Sequence, residues 1–312
     1  NSMDEQRRPL DPVGALLSVG GLGSILYAII EAPTHGWLSS ETLGIAALGA
    51  TLMFAFVRWE RGVSHPLLPM GLFKDRGFTI GLIAIMFAFF VMFSFMFTQM
   101  LHFQLVRDKT ALEAAIRFLP LPLGLGPVAA NSDRIVERFG SRNVVATGLL
   151  LVSLGMGLFT TVGIGTAYPV IGATFLLLGI GMGLTMAPST TLVMEAVPDD
   201  KAGVGSATND ASREVGGALG IAIGGSVLNE YYQRSMTIPE GLEHLGTVPL
   251  ESFPAAMRIG GEMLAGGNMA GLELIEAAKA SFVEGMVASA MVGGAIALTT
   301  AVVVKLYMPA KD

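Results

Sequence analysis

The sequence contains no cysteine among its 312 residues. It therefore cannot form a disulfide, bind a metal through thiolates or use a cysteine nucleophile. Charged residues are also scarce, at 14%, whereas a typical soluble domain has about 25%. Apolar residues make up 52% of the chain and are gathered into long uncharged runs. This composition excludes a set of ordinary soluble domains and indicates a chain whose solvent is lipid.

The motifs of nucleotide, metal and catalytic sites are missing as well. No glycine-rich stretch follows a strand pattern or is followed by Gly-Lys-Ser or Gly-Lys-Thr, as a phosphate-binding loop requires. The four histidines lack the spacing of a metal site, and His102 is predicted to lie at the membrane interface. No acid, base and nucleophile converge in the apolar runs. We predict no enzyme, no cofactor, no metal and no nucleic-acid partner.

Eight apolar segments are suited to crossing a bilayer as helices, which takes about 20 residues each. Between Asn143 and Met194 there are 52 uncharged residues, which predicts two spans joined by a turn at residues 163–169. The fold class is therefore an all-α polytopic membrane protein with eight transmembrane helices. The spans are predicted at Pro12–Ile30, Thr42–Val57, Gly77–Leu101 and Ala111–Ala130, on either side of that turn, and at Ser206–Asn229 and Gly285–Val304.

The positions of Lys and Arg predict the orientation, because short cytoplasmic loops carry an excess of positive charge. With both termini of this chain cytoplasmic, twelve of the 19 basic residues lie inside. The long outer loop at about 230–278 is predicted to be either a mobile loop or a loop with a short interfacial helix. The basic residues on the inner side are Arg7, Arg8, Arg58, Arg61, Lys74, Arg76, Arg134, Arg138, Arg142, Lys201, Lys305 and Lys311.

Ionisable residues at membrane depth are candidate functional residues, because they are costly unless paired or solvated. Arg117 lies about 9 Å along the fourth span, so it either faces a central cavity or extends to the interface. Asp210, Arg213 and Glu214 share one helical neighbourhood at the start of the seventh span. They form either a local ion pair or a group for proton coupling or inward gating.

Two further patterns concern packing and substrate contact. Gly216, Gly220 and Gly224 recur every fourth residue, which predicts a face on which a neighbouring helix can approach closely. The third span is crowded with Phe and Met, a subset of which could line an adaptable pocket for lipophilic cations. The sequence does not choose which side of that helix does so.

A charged loop between the fourth and fifth spans combines acids, arginines and a glycine that permits a sharp reversal. Its physical chemistry alone fits an ordinary cytoplasmic loop. The loop also resembles the signature of the major facilitator superfamily, Gly-x-x-x-Asp-Arg-x-Gly-Arg-Arg. Glu137 stands for the Asp, Arg138 for the Arg, Gly140 for the Gly and Arg142 for the last Arg, whereas Asp133 and Ser141 depart from the pattern.

A second stretch, Pro198 to Leu228, resembles the fourteen-helix drug:proton antiporters of this superfamily, of the quaternary ammonium compound resistance type. Other segments resemble the same subfamily at Gly36–Trp37, Pro66–Phe73, Phe103–Gln104 and Phe118–Pro120. The residues that carry the resemblance in the longer stretch are Gly203, Ser206, Ala207, Asn209, Arg213, Gly216, Gly217, Leu219, Gly220 and Ala222.

This resemblance implies a domain organisation and a function. Residues 1–76 would be a cytoplasmic start and two linker helices, and residues 77–312 a C-terminal six-helix bundle whose partner is a missing N-terminal six-helix half. The implied function is proton-coupled export of lipophilic or cationic drugs across the bacterial inner membrane by alternating access. The alternatives are export of an endogenous metabolite, lipid or siderophore, or a non-transporting membrane scaffold.

Overall fold

The computed structural model describes residues 11–64 and 66–310, apart from the side chains of Pro33, Thr34 and Asp200. The predicted inner positions of Arg7, Arg8 and Lys311 lie outside the described residues. Across the described part the chain is helical. Its α-helices are α1 (Pro12–His35), α2 (Ser40–Glu60), α3 (Arg76–Leu101), α4 (Ala111–Arg117), α5 (Pro120–Ala130), α6 (Ser132–Phe139), α7 (Ser141–Phe159), α8 (Tyr168–Glu195), α9 (Ala202–Ser235), α10 (Val248–Glu251), α11 (Phe253–Ala265) and α12 (Ala270–Tyr307).

Seven spans within the described residues are long and apolar enough to cross a membrane, with α4 and α5 together forming one. This confirms the all-α polytopic membrane fold. The eighth expected span, Ser206–Asn229, lies within α9, a continuous helix of 34 residues. It is absent from the seven because Asp210, Arg213 and Glu214 make its first half polar.

The helices alternate in direction between two ends of the molecule. One end holds α6 and the last residues of α8 and α12, and we call it the signature end. The other holds α11, the turn at residues 160–167 between α7 and α8, and the start of α12, and we call it the cap end. Helices α3, α5, α7, α8, α9 and α12 pack into one bundle around a shared apolar core.

The α1–α2 hairpin lies beside this bundle and packs on α9 through α1. At the cap end the Trp37 indole N–H donates to Ser226 Oγ of α9 at 3.1 Å. At the other end Asp11 caps α1 by accepting from the Gly14 N–H at 2.8 Å, and it also accepts from the Trp59 indole. The hairpin is therefore joined to α9 at its turn and closed between α1 and α2 at its open end.

The fourth predicted span is broken into α4 and α5. Thr110 and Glu113 form a capping box that starts α4, and the helix stops after Arg117. Pro120 has no N–H to continue the helical pattern. At the break the backbone hydrogen bonds join residues three apart instead of four, from Leu119 N–H to Ile116 C=O and from Leu121 N–H to Phe118 C=O. The prolines that make this span irregular in the sequence account for the break.

The segment at the cap end is more ordered than the predicted loop at about 230–278. Helix α9 continues to Ser235 and α12 begins at Ala270, so the connection is shorter than expected. It contains the 13-residue helix α11, which packs on α12 where Gly260 and Gly271 meet. The Tyr232 hydroxyl donates to the Pro249 carbonyl at 2.8 Å and ties this segment to α9.

Candidate functional site

The candidate ionisable residues are distributed over both ends of the molecule rather than gathered in one site. Arg117 contacts Tyr168, the first residue of α8, and Arg213 contacts Thr190 near the end of the same helix. Tyr168 and Thr190 are 22 residues apart on α8, which is about 33 Å at about 1.5 Å per residue. Arg117 and Arg213 therefore cannot bind the same small ligand.

Arg117 lies at the helix break of the fourth span, at its cap end. Its guanidinium donates to the Glu113 carbonyl at 2.9 Å and lies over the Tyr168 ring at 5.9 Å. The Arg117 carbonyl loses its helical partner at the break and accepts from the Tyr168 hydroxyl at 3.0 Å. The half-buried side chain is thus held between α4 and the start of α8.

Arg213 connects three helices in the half of the bundle nearer the signature end. Its guanidinium lies 5.5 Å from the centre of the Phe89 ring on α3 and donates to Thr190 Oγ1 on α8 at 3.4 Å. On its own helix it pairs with Asp210 at 3.3 Å. A guanidinium suits this position because it can stack on a ring and donate in several directions at once.

Asp210 and Glu214 flank Arg213 on the exposed side of α9. The Asp210 side chain is 63% exposed and Glu214 is also exposed. On the adjoining parts of α8 and α9, three buried polar atoms have no hydrogen-bond partner: Ser189 Oγ, Asn209 Oδ1 and Arg213 Nε. Buried polar atoms of this kind are costly to leave unpaired, so this part of α8 and α9 has unused hydrogen-bonding capacity.

The four residues of the loop signature line a cavity of about 630 Å³ at the signature end. Its other walls come from the end of α8, including Glu195, and from Ala310 after α12. Gly140 adopts φ +78°, which permits the reversal between α6 and α7. Arg142 Nε is buried in this region without a hydrogen-bond partner. The loop therefore borders a cavity that it shares with the end of α8 and with the segment after α12.

Gly216, Gly220 and Gly224 face α3 at successive turns. A Cβ atom built at Gly216 would lie 2.1 Å from the Met86 carbonyl oxygen, and one at Gly220 would lie 2.2 Å from that of Phe90. At Gly224 the nearest atom would be Ser94 Oγ. The absence of side chains at these positions lets the backbones of α9 and α3 approach closely.

The α3 helix divides its aromatic residues between two sides. Phe95 is buried, and its ring packs against Phe159 and Phe175 at 4.9 and 5.1 Å. Phe93 and Phe97 are each more than a third exposed, and Phe93 contacts α9 at Gly217. The exposed rings therefore lie on a different side of α3 from the ring that packs in the core.

The sequence predicts His102 at the membrane interface. It lies directly after α3 at the cap end, and its side chain has no exposed surface. It accepts from Arg107, contacts Gln99 and stacks against Phe103. The sequence signal that could identify it is the polar set Ser94, Thr98 and His102, which recurs every fourth residue along α3 and is buried throughout.

The sequence profile of the Major Facilitator Superfamily matches residues 11–221, two thirds of this chain. The chain belongs to the major facilitator superfamily. The match begins in the α1–α2 hairpin and includes the loop signature and the Arg213 region. The chain is thus a multi-pass membrane protein of this superfamily, which agrees with the seven apolar spans of its described residues.

Several superfamily relatives are named for drug efflux. The chain is 32% identical over 254 residues to the multidrug resistance protein Stp of Mycobacterium tuberculosis, covering 80% of this chain and 46% of Stp. It is 28% identical to the multidrug efflux pump LfrA of Mycolicibacterium smegmatis, over 97% of this chain and 60% of LfrA. The tetracenomycin C resistance and export protein of Streptomyces glaucescens is 26% identical, over 95% and 56% respectively.

The chain therefore spans about half the length of the curated relatives it matches. In this superfamily bundle, the sequence-predicted residues occupy three regions: Arg117 at the cap end, Arg213 with Asp210 and Glu214 on α9, and the loop signature at the signature end.

Proposed function

We propose that this chain is the C-terminal half of a proton-coupled secondary transporter that exports lipophilic or cationic drugs across the bacterial inner membrane. The observation that carries the proposal is the similarity, over about half of their length, to relatives named for multidrug efflux and drug export. A fourteen-helix protein of the quaternary ammonium compound resistance type fits this relation. Residues 1–76 would provide its linker pair and residues 77–312 its second bundle.

The packing supports this division. The α1–α2 hairpin packs on the bundle through a single helix, as an inserted pair would, whereas the other spans share one core. The signature end carries most of the basic residues and would be cytoplasmic, so both termini of this chain would be inside. The missing six-helix half would cover the exposed faces of α3 and α9.

The exposed aromatic side of α3 is the proposed contact surface for the substrate. Phe89 and Phe93 stack at 6.0 Å, and Phe93, Met96 and Phe97 are each more than a third exposed. Aromatic faces attract cations and methionines repack around irregular apolar groups. Such a surface would accept flat lipophilic cations of different shapes without specific hydrogen bonds.

The Arg213 bridge is the proposed inner gate. Because Arg213 joins α9 to α3 and α8, loss of its contacts would allow α9 to move relative to both helices. Asp210 and Glu214 are the proposed coupling acids in this half, since both are exposed beside Arg213 and can reach a proton or a residue of the missing half. Arg117 would set the electrostatic potential at the cap end.

Dye accumulation in cells tests the function. The complete reading frame that contains this chain would be expressed in a bacterial strain lacking its own efflux pumps, and ethidium accumulation would be followed by fluorescence. We expect lower accumulation than in cells carrying an empty vector, and a return to the vector level when a protonophore is added.

The alternatives give different outcomes. Unchanged accumulation of every cationic and lipophilic dye, together with a changed amount of a secreted metabolite, lipid or siderophore, would favour an endogenous substrate. No change in any of these, in a correctly inserted protein, would leave only the scaffold function and contradict the proposal.

A further inference from the structure

A buried titratable residue at the cap end has no part in the proposed substrate surface or inner gate. His102 follows the last residue of α3 at the cap end and has no exposed surface. The other two histidines in the described residues, His35 and His244, are exposed. The residues after α3, His102–Val106, form one wider helical turn that carries Arg107 back towards the imidazole.

The hydrogen bonds of His102 require one neutral tautomer. Arg107 Nε lies 3.4 Å from His102 Nε2 and is a donor, because a guanidinium has no acceptor. His102 Nε2 is therefore the acceptor, and Nδ1 carries the hydrogen and donates to Gln99 Oε1 at 3.3 Å. The Gln99 amide in turn donates to the sulfur of Met286 on α12 at 3.2 Å.

Arg107 also holds the turn between α7 and α8. Its Nη2 donates to the Thr166 carbonyl at 2.6 Å and to the Gly163 carbonyl at 3.5 Å. Within that turn the Gly163 N–H donates to the Thr166 hydroxyl at 2.7 Å. We call the set of His102, Arg107 and the carbonyls of Gly163 and Thr166 the Arg107 latch. It joins the α3–α4 connection to the α7–α8 turn.

The residue after Arg107 holds the latch against α12. Asp108 has φ +51° and is the one described residue other than glycine with a positive φ. Its carboxylate pairs with Lys279 of α12 at 2.8 Å. The connection between α3 and α4 is thus fixed to α12 on one side and to the α7–α8 turn on the other.

We propose that protonation of His102 opens the Arg107 latch. A proton on Nε2 removes the acceptor that faces Arg107 and places an imidazolium 3.4 Å from a guanidinium. Arg117 adds a second guanidinium on the α4 side, Lys279 is paired with Asp108, and Glu113 accepts from Thr110. No carboxylate among the described residues bonds to the imidazole, so the added charge is uncompensated and drives Arg107 away.

The opened latch would release the α7–α8 turn from the α3–α4 connection. If the proposed function is correct, this end faces the outside, which is the acidic side of an energised bacterial membrane, and the latch would respond to the proton gradient. The structural response itself does not depend on transport.

A distance measurement tests the latch directly. The chain has no cysteine, so Leu112→Cys on α4 and Ile164→Cys on the α7–α8 turn, both exposed, can carry two spin labels. We expect one narrow distance distribution at pH 8 and a second, longer population at pH 4. His102→Gln keeps an acceptor and a donor without titrating and should give the narrow distribution at both pH values, whereas Arg107→Gln should give the longer population at both.

Two controls keep the result specific. Glu113→Gln removes the titratable group next to the label and should leave the pH response intact, and His102→Asn provides a second non-titrating variant. An unchanged distribution between pH 8 and pH 4 in the parent, or the same change in both His102 variants, would overturn the proposal. Dye efflux is not measured, so failure of the latch and failure of the proposed transport function remain distinguishable.

Discussion

Three arginines in this bundle are held by hydrogen bonds to uncharged oxygens. Arg107 donates to a carbonyl of the α7–α8 turn, and Arg117 donates to a carbonyl one turn earlier in α4. Arg213 donates to a hydroxyl on α8. Arg117 and Arg213 also lie over aromatic rings. The one carboxylate partner, Asp210, is largely exposed, so the ion pair contributes little to stability. These arginines fix the relative positions of helices more than they stabilise the fold.

Arg213→Gln therefore separates stability from function. We expect the free energy of unfolding to fall by about 1 kcal/mol or less, because one cation–π contact and one exposed pair are lost, and dye efflux by the complete protein to fall much further. Arg234→Gln is the matched control, since Arg234 forms an exposed pair with Glu230 on the same helix. Thermal melts and ethidium efflux would be measured for both, and equal efflux by the two variants would contradict a gating role for Arg213.

Single residues were predictable from the sequence where the chemistry is local. The Asp210–Arg213 pair follows from their spacing of three residues, and the structure shows it at 3.3 Å. The burial of His102 is harder to predict, because α3 is otherwise apolar on every side and only the polar series Ser94, Thr98 and His102 marks its inward face. The ring of Phe89 beneath Arg213 depends on the packing of α3 on α9, which one sequence does not reveal.

At the scale of elements, the contact between α3 and α9 depends on backbone approach. The carbonyl oxygens of Met86 and Phe90 on α3 occupy the space that side chains at Gly216 and Gly220 would need. Helices in lipid associate through such close packing, since burial of apolar surface provides no driving force there. The sequence spacing of these glycines predicts a packing face, and the structure identifies α3 as the helix that meets it.

Gly220→Ala should force α9 away from α3. A Cβ atom there would lie 2.2 Å from the Phe90 carbonyl oxygen, and overpacking of this kind costs about 1–3 kcal/mol of folding free energy. Gly203→Ala is the control on the same helix, because no atom lies within 4 Å of its Cβ position. Unfolding in detergent would be followed by circular dichroism. A midpoint for Gly220→Ala equal to that of Gly203→Ala would show that the two helices do not pack as described.

The elements also show where prediction from sequence ends. The break between α4 and α5 follows from prolines, whose missing N–H is a local property. The lengths of α9 and α12 do not follow from the limits of the apolar runs, because both helices continue at the cap end with charged residues such as Glu230 and Glu273. Their extension is stabilised by α11 and by Tyr232, which are tertiary contacts.

At the scale of the whole molecule, the candidate residues lie at two opposite ends of one bundle. The signature loop and the Arg213 bridge lie in one half, and Arg117 and the Arg107 latch lie at the cap end. A transporter that exposes its site alternately to each side requires closures at both ends. The arrangement is what the second half of such a transporter would need, with the exposed side of α3 between the two ends as the proposed substrate surface.

Transport by the purified complete protein in vesicles tests this account most directly. Ethidium would be followed after a pH gradient is imposed across the membrane. The account predicts dye movement that requires the gradient and stops when it is collapsed, and no movement with residues 1–312 alone, because the partner half of the site is then missing. The account would be contradicted if residues 1–312 alone moved the dye as fast as the complete protein under the gradient. It would also be contradicted if dye movement by the complete protein did not depend on the gradient.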